Sequence, residues 1–320
     1  MSVETGGMKD LKEWVPGVLG FIDTHDKGGA ALGAYVIEGS GDSYAIIDPS
    51  TKKVAQQVLD YERSGRHPKE LAYIILTHAH LDHYGGVPFL KKKAPSAQLV
   101  VHEKGASILK EGKQALSERF PYSDKGRFKK RGLELSPDIE VTEETLDLDD
   151  NQLLLQESGG HSEDHLLVMS ISPDSKALLL GDEAGTYPNN AYSYFMDSTG
   201  NYQKHQKVLR MLEKVSADVI LPAHLPPIFN QGSELFEAVQ EMQYSLEHVK
   251  KTIYDTLMEK GGEKEWFIQE RVFKILPDFR WYDPYFSWGV GSCTINVILK
   301  NLEAEGKAKF DTAKQRWIPL

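Results

Sequence analysis

Apolar residues in the first fifty positions fall in short dense runs, without the three-to-four-residue rhythm of a surface helix. Residues 18–24 and 34–38 are apolar-rich, and Tyr44-Ala45-Ile46-Ile47-Asp48 is a buried-strand pattern ending in a carboxylate. Gly28-Gly29 and Gly39-Ser40-Gly41-Asp42 punctuate these runs as turns. A helix is expected over about 53–64, with Val54, Val58 and Leu59 on its apolar face; a fully apolar strand, Ala72-Tyr73-Ile74-Ile75-Leu76, follows it. Next come a helix near 87–93 and a strand at 98–101. Residues 103–140 are polar and helix-like, with a break at Phe120-Pro121-Tyr122. They read as a helical insertion lying over the functional site, with a solvated surface excursion as the alternative. Strands are expected again at 152–156, 166–171 and 177–180. Strands first, then strands alternating with helices, suit a layered α/β architecture.

From about residue 233 the pattern turns helical, with segments at 234–258, 264–275 and 292–305. The end reads as a two-stranded wing, residues 306–310 and 315–318, around the turn Asp311-Thr312-Ala313-Lys314. The expected division is therefore a catalytic domain over 1–232 and a helical, winged-helix-like domain over 233–320. At 320 residues the chain is long for one domain, which agrees with this division. There is one cysteine, Cys293, so intrachain disulfides and cysteine-rich zinc sites are excluded. No secretory signal is visible after Met1 and no apolar run approaches the roughly 20 residues that span a bilayer, so a soluble cytoplasmic protein without a membrane partner is expected. The net charge of −10 disfavours non-specific binding to nucleic acid.

The densest chemistry is Thr77-His78-Ala79-His80-Leu81-Asp82-His83, directly after the apolar strand. Strand alternation sends His78 and His80 to one side. Once the chain turns, Asp82 and His83 point back toward a neighbouring position, so one short run supplies ligands to two cations. Imidazole and carboxylate at this density suit zinc first, with iron or manganese as alternatives.

Extended to Tyr84-Gly85-Gly86, the run resembles the T-H-x-H-x-D-H-x-G-G signature of the metallo-β-lactamase superfamily, especially its glyoxalase-II-like branch. Further motifs follow in order: Asp48 after Ile46-Ile47, Gly159-Gly160-His161-Ser162-Glu163-Asp164-His165, Leu179-Leu180-Gly181-Asp182, and Pro222-Ala223-His224. Ala223 and Gly160 depart from the usual pattern without removing a ligand. The resemblance implies a four-layer αββα sandwich over roughly residues 15–230. It implies that His78, His80 and His161 hold the first metal. Asp82, His83 and His224 would hold the second, with Asp182 bridging and Asp48 and His165 supporting from outside.

Two divalent transition-metal ions about 3.5–4 Å apart would share a hydroxide that attacks the substrate, with Asp82 assisting proton transfer to the leaving group. The aromatic-rich stretch after Asp182 offers Tyr187, Tyr192, Tyr194 and Phe195 as pocket residues, with His25 as a further candidate; ordinary packing of these aromatics is the competing reading. The run from Gly160 to His165 is similar to that of thioesterase-like members, so a thioester, lactone or ester is the expected small-molecule substrate. A phosphodiesterase or endoribonuclease is the alternative, because the tail resembles that of the lactamase-like endoribonuclease group. A metal-containing regulator is a third reading. The tail's charge is roughly balanced, so covering the pocket or forming a homodimer is expected of it before RNA binding.

Overall fold

Side chains alternate between the two faces of a strand, and here both faces of two sheets are covered. The computed structural model describes residues 11–23, 32–63, 69–122, 134–184, 195–276 and 289–320. Four antiparallel strands open the chain: β1 (Lys12–Val15), β2 (Val18–Asp23), β3 (Leu32–Glu38) and β4 (Ser43–Ile47). Helix α1 (Lys52–Arg63) crosses to β5 (Glu70–Ile75), parallel to β4. Helices α2 (Leu81–Tyr84) and α3 (Val87–Lys93) lead to β6 (Gln98–His102). Helices α4 (Glu103–Glu111) and α5 (Lys113–Arg119) precede β7 (Ile139–Val141), which completes a 7-stranded sheet in sequence order.

The described parts of 103–140 thus belong to the first sheet's own fold. Ala106, Leu109 and Leu116 are buried in the core, and β7 pairs parallel with β6. The second sheet has six strands. They are β8 (Glu143–Leu148), β9 (Asn151–Glu157), β10 (Leu166–Ile171) and β11 (Lys176–Gly181), then β12 (Val219–Pro222) after α6 (Tyr202–Leu212), and the edge strand β13 (Ile228–Phe229).

Period-two patterning assigns each strand face to a layer. Ile47, Ile75 and Val100 meet Leu153, Leu155, Val168, Leu179 and Leu221 between the sheets. Their sequence neighbours Ile46, Ile74 and Leu99 face outward to Val54, Val58 and Leu90 of the helices. On the other side Leu178 and Ile220 join a cluster with Leu209, Leu212, Val239 and Met242. The result is an αββα sandwich.

The C-terminal helices are α7 (Glu234–Lys260), α8 (Glu265–Ile275) and α9 (Val290–Ala304), followed by the hairpin β14 (Ala308–Asp311) and β15 (Arg316–Pro319). Val239, Met242, Leu246, Val249, Ile253 and Leu257 recur at helical spacing and form the buried stripe of α7. Gly261, in the left-handed region at φ 60°, ends the helix. Ile295, Ile298, Leu299 and Leu302 of α9 lie in the same hydrophobic cluster as the outer face of the second sheet. No helix among the described residues is long and apolar enough to cross a membrane.

Candidate metal centre

The motif residues gather at the carboxyl ends of parallel strands, where α/β sheets present their ligand sites. Asp48 follows β4, His78 follows β5, Asp182 follows β11 and His224 follows β12, while His161 sits in the connection from β9 to β10. The Leu166 N–H donates to the Thr77 carbonyl at 2.7 Å, and this backbone bond ties the two sheets together at that end. Two glycine features explain local shape. A Cβ on Gly85 would collide with the Ser50 carbonyl and one on Gly86 would lie 2.5 Å from that of Pro49, so both glycines let α2 press onto the β4–α1 turn. Gly181 has φ +54°, and a Cβ there would collide with His165 Nε2.

Asp48 is itself left-handed, at φ 50°, a conformation that costs a non-glycine residue about 1 kcal/mol or more. Three hydrogen bonds hold it: it accepts from the Thr77 N–H at 2.8 Å, the Thr77 hydroxyl at 2.7 Å and His83 Nδ1 at 2.9 Å.

Hydrogen-bond partners determine the histidine tautomers. His80 Nε2–H donates to the Asp197 carboxylate at 3.0 Å, and His161 Nδ1–H donates to the Phe195 carbonyl. The Thr77 hydroxyl gives its proton to Asp48 and so accepts from His78 Nδ1–H at 3.1 Å. The three nitrogens left over carry lone pairs and converge: His78 Nε2 lies 2.9 Å from His80 Nδ1, which lies 3.1 Å from His161 Nε2. Burial, reinforced by the imidazoles of His83, His80 and His161, holds His78 well below the usual histidine range. Burial also outweighs Asp182 and sets His161 at about 4. Converging acceptors with no proton between them call for a cation.

A second group stands beside the first. His83 Nδ1–H is committed to Asp48, so its Nε2 faces Asp182 Oδ1 at 3.4 Å; neither atom has a hydrogen-bond partner among the described residues. His224 Nε2 lies 3.3 Å from the same oxygen and 3.6 Å from Asp82 Oδ2. The other Asp182 oxygen, Oδ2, lies 3.5 Å from His161 Nε2 and 4.0 Å from His78 Nε2. His78, His80, His161 and Asp182 thus form one potential ligand group, and Asp82, His83 and His224 another. Despite burial, the imidazoles of His224, His83 and His161 keep the Asp182 carboxyl far below its usual range, so it is ionised. Converging imidazole nitrogens, the ionised Asp182 carboxylate and orphaned buried atoms fit divalent cations in both groups.

His165 is turned away from both groups: its Nε2 accepts the Asp182 N–H at 3.1 Å and its Nδ1 meets the Ser158 hydroxyl at 2.9 Å. Several buried residues in the surroundings are not among the expected site residues. Arg119 pairs with Asp164 at 2.6 Å and Asp197 at 3.0 Å, and the other Asp164 oxygen accepts the Ala79 N–H at 2.8 Å. Glu183, fully buried against His205, accepts the N–H groups of Gly160 and His161 at 2.8 and 3.1 Å. Burial opposes ionisation of Asp164, yet Arg119 holds its carboxyl below the usual range.

Of the expected pocket residues, His25, Tyr187, Tyr192 and Tyr194 lie outside the described residues. Phe195 is described. Its ring is buried in the hydrophobic core and its carbonyl, not its ring, meets His161.

A family profile described as the metallo-beta-lactamase superfamily matches residues 34–224, more than half of the chain. Comparison with curated protein sequences gives no match. Among solved structures the chain is similar to a beta-lactamase domain protein from Burkholderia ambifaria, at 13% identity over 97% of this chain and 94% of that one, with a TM-score of 0.72. It is also similar to a metallo-beta-lactamase family protein from Thermus thermophilus, at 16% identity over 96% and 99% of the two chains (TM-score 0.66). A class B3 di-zinc metallo-beta-lactamase from an Alaskan soil metagenome aligns at 14% identity over 78% of this chain and 98% of that one (TM-score 0.55). At these identities the likeness is one of fold, and for the first two it extends over nearly the whole chain.

Proposed function

The chain belongs to the metallo-β-lactamase superfamily, and from that membership we propose that it is a hydrolase of small acyl substrates (a thioester, lactone or ester) working with two divalent cations, zinc foremost. One observation carries the two-cation reading: the oxygens of Asp182 face different ligand groups, Oδ2 toward His161 and His78 and Oδ1 toward His83 and His224. When bound, the cations supply Lewis-acid polarisation of the electrophile and acidification of water.

The chain's own residues do the rest. His78, His80 and His161 would hold the first cation and Asp82, His83 and His224 the second, with one oxygen of Asp182 facing each group. Each tethered imidazole has its outer nitrogen bonded to a fixed acceptor, so its orientation costs nothing when a cation arrives. The Asp82 side chain is 40% exposed whereas that of His224 is 3% exposed, so the site opens to solvent on the Asp82 side. Substrate approaches from there, and Asp82 is placed to carry a proton to the leaving group.

The acyl reading is preferred to phosphodiester cleavage because several lysines of the C-terminal segment are answered locally. Lys250 and Lys307 pair with Glu305, and Lys251 pairs with Asp255. A nucleic-acid surface leaves such cations open for phosphates. The test combines metal analysis with a panel of acyl thioesters, lactones and phosphodiesters, assayed on wild type and Asp182→Ala. Acyl turnover that vanishes in the variant is expected. Turnover of phosphodiesters alone defeats the acyl reading, and a folded wild type that retains no cation defeats the hydrolase reading.

A further inference from the structure

The segment Phe195-Met196-Asp197 touches two of the three imidazoles of the first ligand group. The Phe195 carbonyl accepts His161 Nδ1–H, the Asp197 N–H donates to the His161 carbonyl at 3.1 Å, and the Asp197 carboxylate accepts His80 Nε2–H. Met196, between them, is held at both of its backbone groups by one side chain. The Thr294 hydroxyl of α9 accepts the Met196 N–H at 2.8 Å and donates to the Met196 carbonyl at 3.3 Å. One residue earlier, the Cys293 thiol lies 3.8 Å from the Arg119 carbonyl, which also accepts the Ser198 N–H at 3.1 Å. Thr294 and Asp197 are fully buried.

We propose that Thr294 is a positioning residue for the first cation, and that α9 is the element through which the C-terminal helices set the centre. By clamping Met196, Thr294 fixes Phe195 O and the Asp197 carboxylate as acceptors at the required places. A carbonyl and a carboxylate accept only, so they force the proton onto His161 Nδ1 and His80 Nε2. The nitrogens left bare, His161 Nε2 and His80 Nδ1, are the pair 3.1 Å apart in the first ligand group. In the second group, His83 is oriented from the other half of the fold by Asp48. The inference rests on the two-cation reading only for its metal arm.

The experiment is a stepwise zinc titration against a chelating indicator, paired with nitrogen NMR of the histidine tautomers in the metal-free protein. The set is wild type, Thr294→Val, Thr294→Ser and Asp197→Asn. Loss of an outer partner of a ligating histidine weakens metal binding by roughly 10- to 100-fold. Thr294→Val should weaken one zinc step by about 10-fold and leave the other unchanged, while mixing the His80 and His161 tautomers. Thr294→Ser, which keeps the hydroxyl, should restore both readings. Asp197→Asn should weaken the same step, and adding Thr294→Val to it should cost less than the two single effects combined. Unchanged tautomers and affinities in a folded Thr294→Val overturn the proposal, as does equal weakening of both steps. If that variant does not fold, the wild-type spectrum still decides, because a proton on His80 Nδ1 or His161 Nε2 refutes it. A wild type that takes up no zinc defeats the proposed function, while the tautomers continue to judge the role of Thr294.

Discussion

Replacing Asp48 by asparagine separates tautomer control from general damage to the site. Asparagine tolerates the left-handed backbone at residue 48, so the turn is kept. The amide has one acceptor where the carboxylate used two. With its oxygen on the Thr77 N–H, its NH2 faces His83 Nδ1, 2.9 Å away in the wild type. Flipped, it sets that NH2 against the Thr77 N–H, 2.8 Å from the atom it replaces. A backbone amide cannot shed its proton, whereas an imidazole can move one, so His83 gives way. Its proton goes to Nε2, the nitrogen facing Asp182 at 3.4 Å, and blocks the lone pair needed by the second cation. The expected cost is a 10- to 100-fold weaker zinc step, about 1.4–2.7 kcal/mol. Losing a charge-assisted bond removes a further ~1.5–3 kcal/mol of metal-free stability, read by urea unfolding. Asp48→Ala adds backbone strain at positive φ and is less stable still, yet leaves His83 free to choose its tautomer. The order therefore reverses: alanine is worse for stability, asparagine worse for zinc. An asparagine variant that holds zinc more tightly than the alanine variant refutes the argument.

Three further outcomes follow from buried groups and charge. Arg119→Met strands the Asp164 and Asp197 carboxylates and should cost about 3–5 kcal/mol of metal-free stability in urea unfolding; a loss under about 1 kcal/mol contradicts the pairing. Gly181→Ala meets both a positive φ and the His165 ring, so it should cost at least about 1–3 kcal/mol by thermal unfolding, and a neutral effect contradicts the close packing. For Glu305, burial opposes ionisation, but Lys250, Lys307 and Asn301 together hold its carboxyl at about 2. A depressed carboxyl stabilises above its ordinary value near 4.5 and loses that contribution as pH falls toward about 2. The stability gap between wild type and Glu305→Gln should therefore be level from pH 6 to 8 and shrink below pH 4.5, staying within about 1 kcal/mol because solvent screens the cluster. A gap that widens on acidification reverses the sign of this reasoning.

The parts of the centre that can be read from sequence are those written contiguously. Residues His78 to His83 lie on one turn of chain after the apolar strand β5, and Asp182 follows the apolar strand β11. Arg119, Asp197 and Thr294 cannot be found this way. Asp197 is 117 residues from His80 and Thr294 is 98 from Met196, and nothing local marks either as a partner. Some elements escaped the periodicity reading for similar reasons. Strand β8 buries only Leu146 and Leu148 among acidic neighbours, and β12 is four residues ending in proline. Strand β7 has three residues and is held by pairing with β6, not by its own pattern.

The ligands are divided between the two sheets: His78, His80, Asp82 and His83 follow a strand of the first, whereas His161, Asp182 and His224 belong to the second. A ribosome releasing this chain delivers the earlier half as a partial receptor, with three imidazoles and one carboxylate around an unfinished cavity. A cation held as proposed would find its full ligand set only after the later half has folded against the earlier one, so its capture would report that the halves have met.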